Sequence, residues 1–367
     1  MDYLVLTKVH GAILGPISQI LGWILNVLVT FTNSFGVLNI GLSIILFTLV
    51  VKLLMFPMTI KQQKASKLMA VMQPELQAIQ AKYKGKTDND SMMKMNVETK
   101  AVYEKYGTSM TGGCLQLVIQ MPILFALYQV IQNIPAYVGS VYNVFNGVCT
   151  KILAVDGFTD IINNFITDNK MTRVRQVTEN ADSIVDFLYA LSPSQWESLQ
   201  KISQFSGFSD QISKTASEIQ KMQTFGVLNI ADQPLSYIKT GSLILIIAAL
   251  AIPLLSWATQ MLNLKLMPQA ATQNGNDGNN AMASSMKTMN TVMPLMSAFF
   301  CFTFPVGLGI YWIASSVVRS IQQLLINRHL DKMNIDDLVN ENMRKMEAKR
   351  AKEGLPPQKI TNQAHQS

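Results

Sequence analysis

The sequence predicts an all-α polytopic membrane protein: a five-helix transmembrane core, a cytoplasmic helical hairpin and a small helical extracytoplasmic domain. Three observations lead there. Only 14% of the 367 residues are charged, where soluble domains run to about a quarter. The deficit is local, because whole segments lack charge while others hold nearly all of it. Apolar runs of about 20 residues, the length that crosses hydrocarbon as a helix, recur at 36–56, 113–133, 240–262, 288–304 and 305–326. Each must be helical, since lipid offers no partner to free backbone N–H and C=O groups. "FTFPVGLG" (Phe302 to Gly309) supplies the turn between the last two through Pro305 and Gly307.

The connecting segments orient the chain. Residues 57–112 carry nine lysines against five acids, 327–367 carries eight basic residues against six acids, and 134–239 carries eight against ten. Positive charge stays inside, so 57–112 and 327–367 are expected in the cytoplasm, with 263–287 between spans three and four, and 134–239 outside. The net charge of +7 is then topological, and no nucleic-acid specificity is needed to explain it. Residues 1–35 come before the first span. In "GAILGPISQILGWILNVLVTFTNS", Gly11, Gly15, Gln19, Gly22, Asn26, Thr30 and Asn33 make a small or polar stripe, which suits an amphipathic helix lying in the membrane interface. A sixth span is the alternative. No cleavable secretory signal is evident: a basic n-region and a lipobox cysteine are both missing.

Composition also excludes chemistries. Cys114, Cys149 and Cys301 are odd in number and lack paired spacing, so neither a disulfide framework nor a metal site is expected. His10, His329 and His365 lie outside the spans, and no span contains Asp. A Ser/His or two-Asp intramembrane protease is thereby excluded. No nucleotide motif or other cofactor signature appears. The outer segment 134–239 reads as a small domain, with "SIVDFLYALSPSQWESLQKISQF" and "ISKTASEIQKMQTFGVL" as amphipathic helices and Ser192-Pro193 as a helix start. It shows no catalytic constellation.

Within 57–112, "IKQQKASKLMAVMQPELQAIQAKYKG" and "DSMMKMNVETKAVYEKYG" read as two helices joined around Gly85 to Asp90. Leu68, Met72, Leu76, Ile79 and Tyr83 recur at helical spacing, as do Met92, Met95, Val102 and Tyr106. Met69, Met72, Met92 and Met95 offer a soft surface for varied apolar partners. The alternative is two helices packed on each other with methionine filling the gaps.

The first span holds the costliest residue. Lys52 interrupts "GLSIILFTLVVKLLMFP", and a lysine in hydrocarbon costs about 2.5–3.5 kcal/mol on insertion scales. Thr48 shares its helix face, four residues away. Gln116 and Gln120 make a similar pair in the second span. Ser256, Thr259, Gln260 and Asn263 line one side of the third, and Ser315, Ser316, Arg319, Gln322 and Gln323 occur in the fifth. Lys52 lies about 6 Å of helix rise from the cytoplasmic end of its span and Arg319 about 10 Å from that of its own, both in the inner leaflet. Either alone could snorkel to the headgroups. Two cations in the same leaflet, with glutamines on a neighbouring span, favour one hydrated cavity open to the cytoplasm.

Three segments carry a resemblance. "GLSIILFTLVVKLLMFPMTIKQQKASKLMAVMQPELQAIQAKY", "YEKYGTSMTGGCLQLVIQMPILFALY" and "MKTMNTVMPLMSAFFCFTFPVGLGIYWIASSVVRSIQQ" resemble the YidC/Oxa/Alb membrane protein insertases over about 36–133 and 240–330. The resemblance implies a multi-pass insertase and chaperone of the bacterial cell membrane, with a cytoplasmic C-terminus and no covalent chemistry. In that family five core helices enclose a hydrophilic groove, open to cytoplasm and lipid, with one basic residue of the first core helix facing it. Lys52 stands at that position, where arginine is usual. The match also places Gln116, Gln120, Tyr311, Trp312 and Ser316 in groove-lining helices. Nascent membrane proteins and the lipid bilayer are the implied partners, with the ribosome near the basic tail and the Sec translocon as further candidates. Three departures stand out: lysine loses the planar donor fork of arginine, Arg319 replaces an expected uncharged residue, and 134–239 is far longer than in the simplest members. A transporter would need an internal repeat with interrupted helices, and none is visible. A scaffold using the hairpin to hold a partner complex is the remaining rival.

Overall fold

The computed structural model describes residues 8, 11–108, 112–171, 174, 176–238, 241–267, 292, 294–332, 334–352 and 354. Among them the chain is helical, apart from one pair of two-residue strands. In chain order the helices are α1 (Leu14–Ser34), α2 (Ile40–Leu54), α3 (Phe56–Lys82), α4 (Asn89–Tyr106), α5 (Gly112–Gln132), α6 (Ile134–Tyr137), α7 (Gly139–Leu153), α8 (Phe158–Asp168), α9 (Ala181–Ala190), α10 (Pro193–Gln200) and α11 (Ser209–Gln223). The strands β1 (Thr224–Phe225) and β2 (Leu228–Asn229) come next, then α12 (Pro234–Tyr237) and α13 (Leu243–Leu266). The last helices are α14 (Pro294–Thr303), α15 (Val306–Leu330) and α16 (Ile335–Lys352). By length and composition alone, α1 and α13 could each cross a membrane, and α2 with α3, bent by 61° at their break, would make a third span.

The chain divides into two compact units: Met1–Val51, Gln120–Thr259 and Pro294–Ser316 in one, and Lys52–Ile119, Gln260–Met293 and Val317–Ser367 in the other. The first contains the helical domain of residues 134–238. Its core gathers Phe145, Ile152, Ile162, Ile184, Phe187, Leu188 and Phe205, all fully buried. Phe165 meets Phe187 edge to face at 5.8 Å, a geometry that aromatic quadrupoles favour. Proline sets α10: Ser192 caps the helix, its hydroxyl accepting from Gln195 N–H while the Gln195 side chain accepts from Ser192 N–H. That reciprocal box satisfies two donors the first turn would leave orphaned.

One sequence expectation changes here. The helix read through Leu228 stops at Gln223, and Thr224–Asn229 form an antiparallel hairpin. Gly226 takes a left-handed φ of 64°, and the flanking Thr224, Phe225 and Val227 favour extended backbone. Helical periodicity was thus overridden by a turn that glycine allows. The hairpin then meets α2. Asn39 Nδ2 donates to Thr224 O at 2.7 Å, and Asn39 Oδ1 accepts from Leu42 N–H at 3.0 Å, capping α2. Gly41 lets Phe225 approach, because a Cβ there would lie 2.8 Å from the Phe225 Cβ.

Helix α1 packs on α6 and α7. The residues it buries are Gly15, Ser18, Leu21, Gly22, Leu25, Val29 and Thr32, a different stripe from the one read in the sequence. Gln19, Thr30 and Asn33 are exposed. Gly22 is required because the Tyr137 ring lies where its Cβ would be. The opposite side presents Ile20, Trp23, Val27 and Phe31, as large apolar groups do when they face lipid.

In the second unit, α3 and α4 form a hairpin whose core is Leu68, Met72, Leu76, Val102, Tyr103 and Tyr106. A partly buried ion pair closes one side: Glu75 Oε1 accepts from Lys105 Nζ at 2.8 Å and from Tyr106 OH at 2.7 Å. On the other side Glu98 Oε1 accepts from Lys82 Nζ at 2.6 Å and from Tyr83 OH at 2.9 Å. The Lys82 hydrogen bond holds the Glu98 carboxyl below its ordinary value. Helix α16 packs on α4, adding Leu338 and Val339 to the core, and Asn342 Nδ2 donates to Tyr106 O at the end of α4 at 3.0 Å. Asn342→Ala is expected to weaken this docking by about 1 kcal/mol. Hydrogen exchange across 335–352 should quicken while exchange in α3 stays unchanged.

Candidate functional site

Polar groups gather within the second unit, where the second half of α15 is hydrogen-bonded to the ends of α2 and α13 and to Lys67 of α3. Lys52 is the third-last residue of α2 and only 7% exposed. Its carbonyl accepts from Gln322 Nε2 at 2.9 Å, and the Arg319 guanidinium lies within Coulombic reach of its ammonium. Two like charges brought together among apolar helices repel each other and lose hydration, which is costly without anions or water between them. The neighbouring polar groups are correspondingly dense. Ser320 Oγ donates to Asn263 Oδ1 at 3.2 Å. Gln323 Nε2 donates to Asn327 Oδ1 at 2.8 Å, and Asn327 Nδ2 to Leu266 O at 2.8 Å, tying α15 to the end of α13. Lys67 of α3 reaches Leu330 O and Asp331 Oδ1, each at 2.9 Å. Gln63 is buried, and its Oε1 finds no partner among the described residues, leaving an acceptor for an incoming donor or a water.

The structure therefore brings together Lys52 and Arg319, with a Gln322 bond to the Lys52 carbonyl that the residue spacing did not announce. Gln116 lies on α5, its side chain outside the described residues. Thr48, Gln120, Tyr311, Trp312 and Ser316 belong to the other unit. There Thr48 is buried, its hydroxyl donating to Ile44 O one turn back at 2.7 Å. Tyr311 and Ser316 are buried, Gln120 is half-buried, and Trp312 sets its edge on Phe304 at 6.3 Å. Gln63, Lys67, Ser320 and Asn327 were missed by sequence reading. For two of them a signal exists: Ser316, Ser320, Gln323 and Asn327 recur at steps of four, three and four, one continuous helical stripe. Gln63 sits in "IKQQK", where lysines suggest an exposed face.

The four hairpin methionines separate. Met72 is fully buried in the hairpin core and Met69 packs against it, so gap filling describes both. Met95 is half-buried, while Met92, with Met93 and Val97, is exposed.

The helical domain of residues 134–238 holds a polar cavity of about 220 Å³, lined by residues that include Ser192, Gln223, Asn229, Asp232, Gln233 and Ser236. Its geometry offers no nucleophile with a base. Among the described residues no group of three His, Cys, Asp or Glu could hold a metal. Burial pushes the Cys149 thiol up to about 11, which keeps it protonated and lowers its nucleophilicity.

Comparison with known proteins identifies the family. The family model described as "60Kd inner membrane protein" matches residues 30–333. The membrane protein insertase MisCA of Bacillus subtilis is 40% identical over 112 residues, covering 30% of this chain and 42% of that protein. The membrane protein insertase YidC of Bifidobacterium longum is 24% identical over 351 residues, covering 94% of this chain and 84% of its own. That of Treponema pallidum is 26% identical over 330 residues, or 90% and 38%. The chain spans 42% of the length of the Bacillus, Oceanobacillus and Halalkalibacterium relatives it matches. With most of its length under one family model, the chain belongs to the 60Kd inner membrane protein, or YidC, family.

Proposed function

We propose that the chain is a membrane protein insertase and chaperone of the bacterial cell membrane, acting on nascent membrane proteins without covalent chemistry. The observation that supports this best is the pairing of Lys52 and Arg319 inside a polar cluster on otherwise apolar helices. Such a cluster lets a client's hydrophilic segment exchange lost water for protein donors part of the way across the bilayer. Lys52, Arg319 and the amides of α15 supply those donors. The shorter apolar path that remains has a lower barrier, and the client's apolar segment then moves into lipid, favoured by about 25 cal/mol per Å². Five spans at α2, α5, α13, α14 and α15, with α3–α4 and α16 cytoplasmic, are part of the proposal and rest on the charge asymmetry of the loops. Thr48, Gln116, Gln120, Tyr311, Trp312 and Ser316 enter as client contacts on the family pattern alone. On the hairpin, Met92 and its exposed neighbours Met93 and Val97 suit an apolar client segment. Ribosome and translocon contacts are further parts of this reading.

The test is insertion of a small single-span client into liposomes. Vesicles with the purified protein should protect the client's translocated tail from protease, and vesicles of lipid alone should not. Equal protection in both would remove the insertase reading.

A further inference from the structure

The outer domain has a foot. Among its described residues between 134 and 238, the large hydrophobic side chains with substantial exposure are Leu153 at 37%, Val227 at 50%, Leu235 at 47% and Ile238 at 43%. Three of these four fall within twelve residues. Val227 is at the hairpin turn between β1 and β2. On α12 and its C-cap the spacing sorts the residues, Pro234 and Tyr237 buried and Leu235 and the cap residue Ile238 exposed.

Their placement is fixed by the backbone around them. Thr224 O receives Asn39 Nδ2 at the start of α2. Ile230 O and Asp232 O accept from Gly307 N–H and Val306 N–H, both at 2.8 Å, at the start of α15. Those two carbonyls satisfy helix-terminal donors that would otherwise be orphaned. Ile238 leads within five residues to α13, which opens with Leu243, Ile244 and Ile247 exposed and apolar. The foot thus lies at the first turns of two apolar helices, α2 and α15, and stands five residues of chain before the exposed apolar start of a third, α13.

We infer that Val227, Leu235 and Ile238 are seated in the outer leaflet of the bilayer, pinning the outer domain to the membrane beside the helix ends it caps. The occupant is phospholipid, because the patch stands just before the exposed apolar start of α13 and consists of aliphatic side chains at a membrane boundary. The inference rests on reading α2, α13 and α15 as spans, and the test separates the two.

Benzoylphenylalanine is placed singly at Val227, Leu235 or Ile238, at Ile247 within α13, and at the exposed Glu197 and Lys201. Each full-length protein is reconstituted in vesicles of phosphatidylethanolamine and phosphatidylglycerol with radiolabelled acyl chains, then irradiated. Lipid adducts at the three foot positions should approach those at Ile247 and exceed Glu197 and Lys201 by at least about tenfold, the ratio that ~1.4 kcal/mol of preference for lipid sustains. Adducts at Ile247 with only background at all three foot positions would overturn the foot and leave the spans standing. Background at Ile247 as well would overturn both. Adducts to a second copy of the chain at the foot, in place of lipid, would make it a protein interface and likewise overturn the inference.

Discussion

Lys52→Ala combined with Arg319→Ala is expected to slow client insertion in proteoliposomes by about 30-fold, or ~2 kcal/mol. A hydrogen bond to a charged group contributes about 1.5–3 kcal/mol in a buried setting, and water in the cluster weakens each of the two. The single variants should differ from the double in a telling way. The two cations repel each other, so removing either relieves its neighbour and costs less than half the total. The loss should therefore be more than additive across the pair, as expected for contacting groups. Lys52→Arg should insert clients at least as fast as the native protein, since the guanidinium holds its proton and offers a planar donor fork. The fold should survive all of these, because Gln322 bonds the Lys52 main-chain carbonyl rather than its side chain. Unchanged insertion by the double variant would show that the charges are incidental.

How much of this was legible in the sequence depends on the range of the interaction involved. Helix positions were readable from runs and turn residues, because hydrophobic length and proline act locally. Helices lie within each of the five apolar runs, and the α3–α4 hairpin turns where Gly85 and Asp88 stand. Lys52 was conspicuous because a lone charge in an apolar run is expensive wherever it packs. Its tie to Gln322 was not legible, since 270 residues separate them and periodicity carries no information across that distance. Which side of α1 is buried was not legible for a similar reason. Gly15 and Gly22 were picked out by size, but Tyr137 and its neighbours decided which side packs, and they lie beyond any helical window. The methionines illustrate the same limit: Met72 and Met92 look equivalent by spacing, yet the first is core and the second is open. The hairpin at 224–229 was hidden because Met222, Phe225 and Leu228 continue a helical spacing that Gly226 interrupts.

The outer domain's hold on the helix ends should hinge on one hydroxyl. Tyr237 is buried; its OH donates to Asp232 Oδ2 at 2.9 Å and accepts from Asn229 N–H at 2.8 Å. Those two residues flank the carbonyls of Ile230 and Asp232 that cap α15. Tyr237→Phe keeps the ring and its packing, but it takes the acceptor from the partly buried Asn229 N–H and a donor from a carboxylate. An unsatisfied buried donor costs about 1–3 kcal/mol, so about 2 kcal/mol is expected. Amides of 224–238 and of the first turn of α15 should then exchange up to ~30-fold faster, while α7 and α9 are unaffected. The pH dependence gives an independent check. Burial, and then the Asp232 carboxylate, push the Tyr237 hydroxyl above its ordinary value, so folding favours the protonated form. That contribution is complete below the unfolded value of about 10 and is lost as pH rises through the folded one. Exchange at 224–238 in the native protein should thus accelerate from about pH 10 upward, beyond the ordinary base-catalysed trend, and Tyr237→Phe should lack that extra rise. A variant that exchanges like the native protein at neutral pH would show that the main-chain bonds to Val306 and Gly307 hold the outer domain without help from the tyrosine.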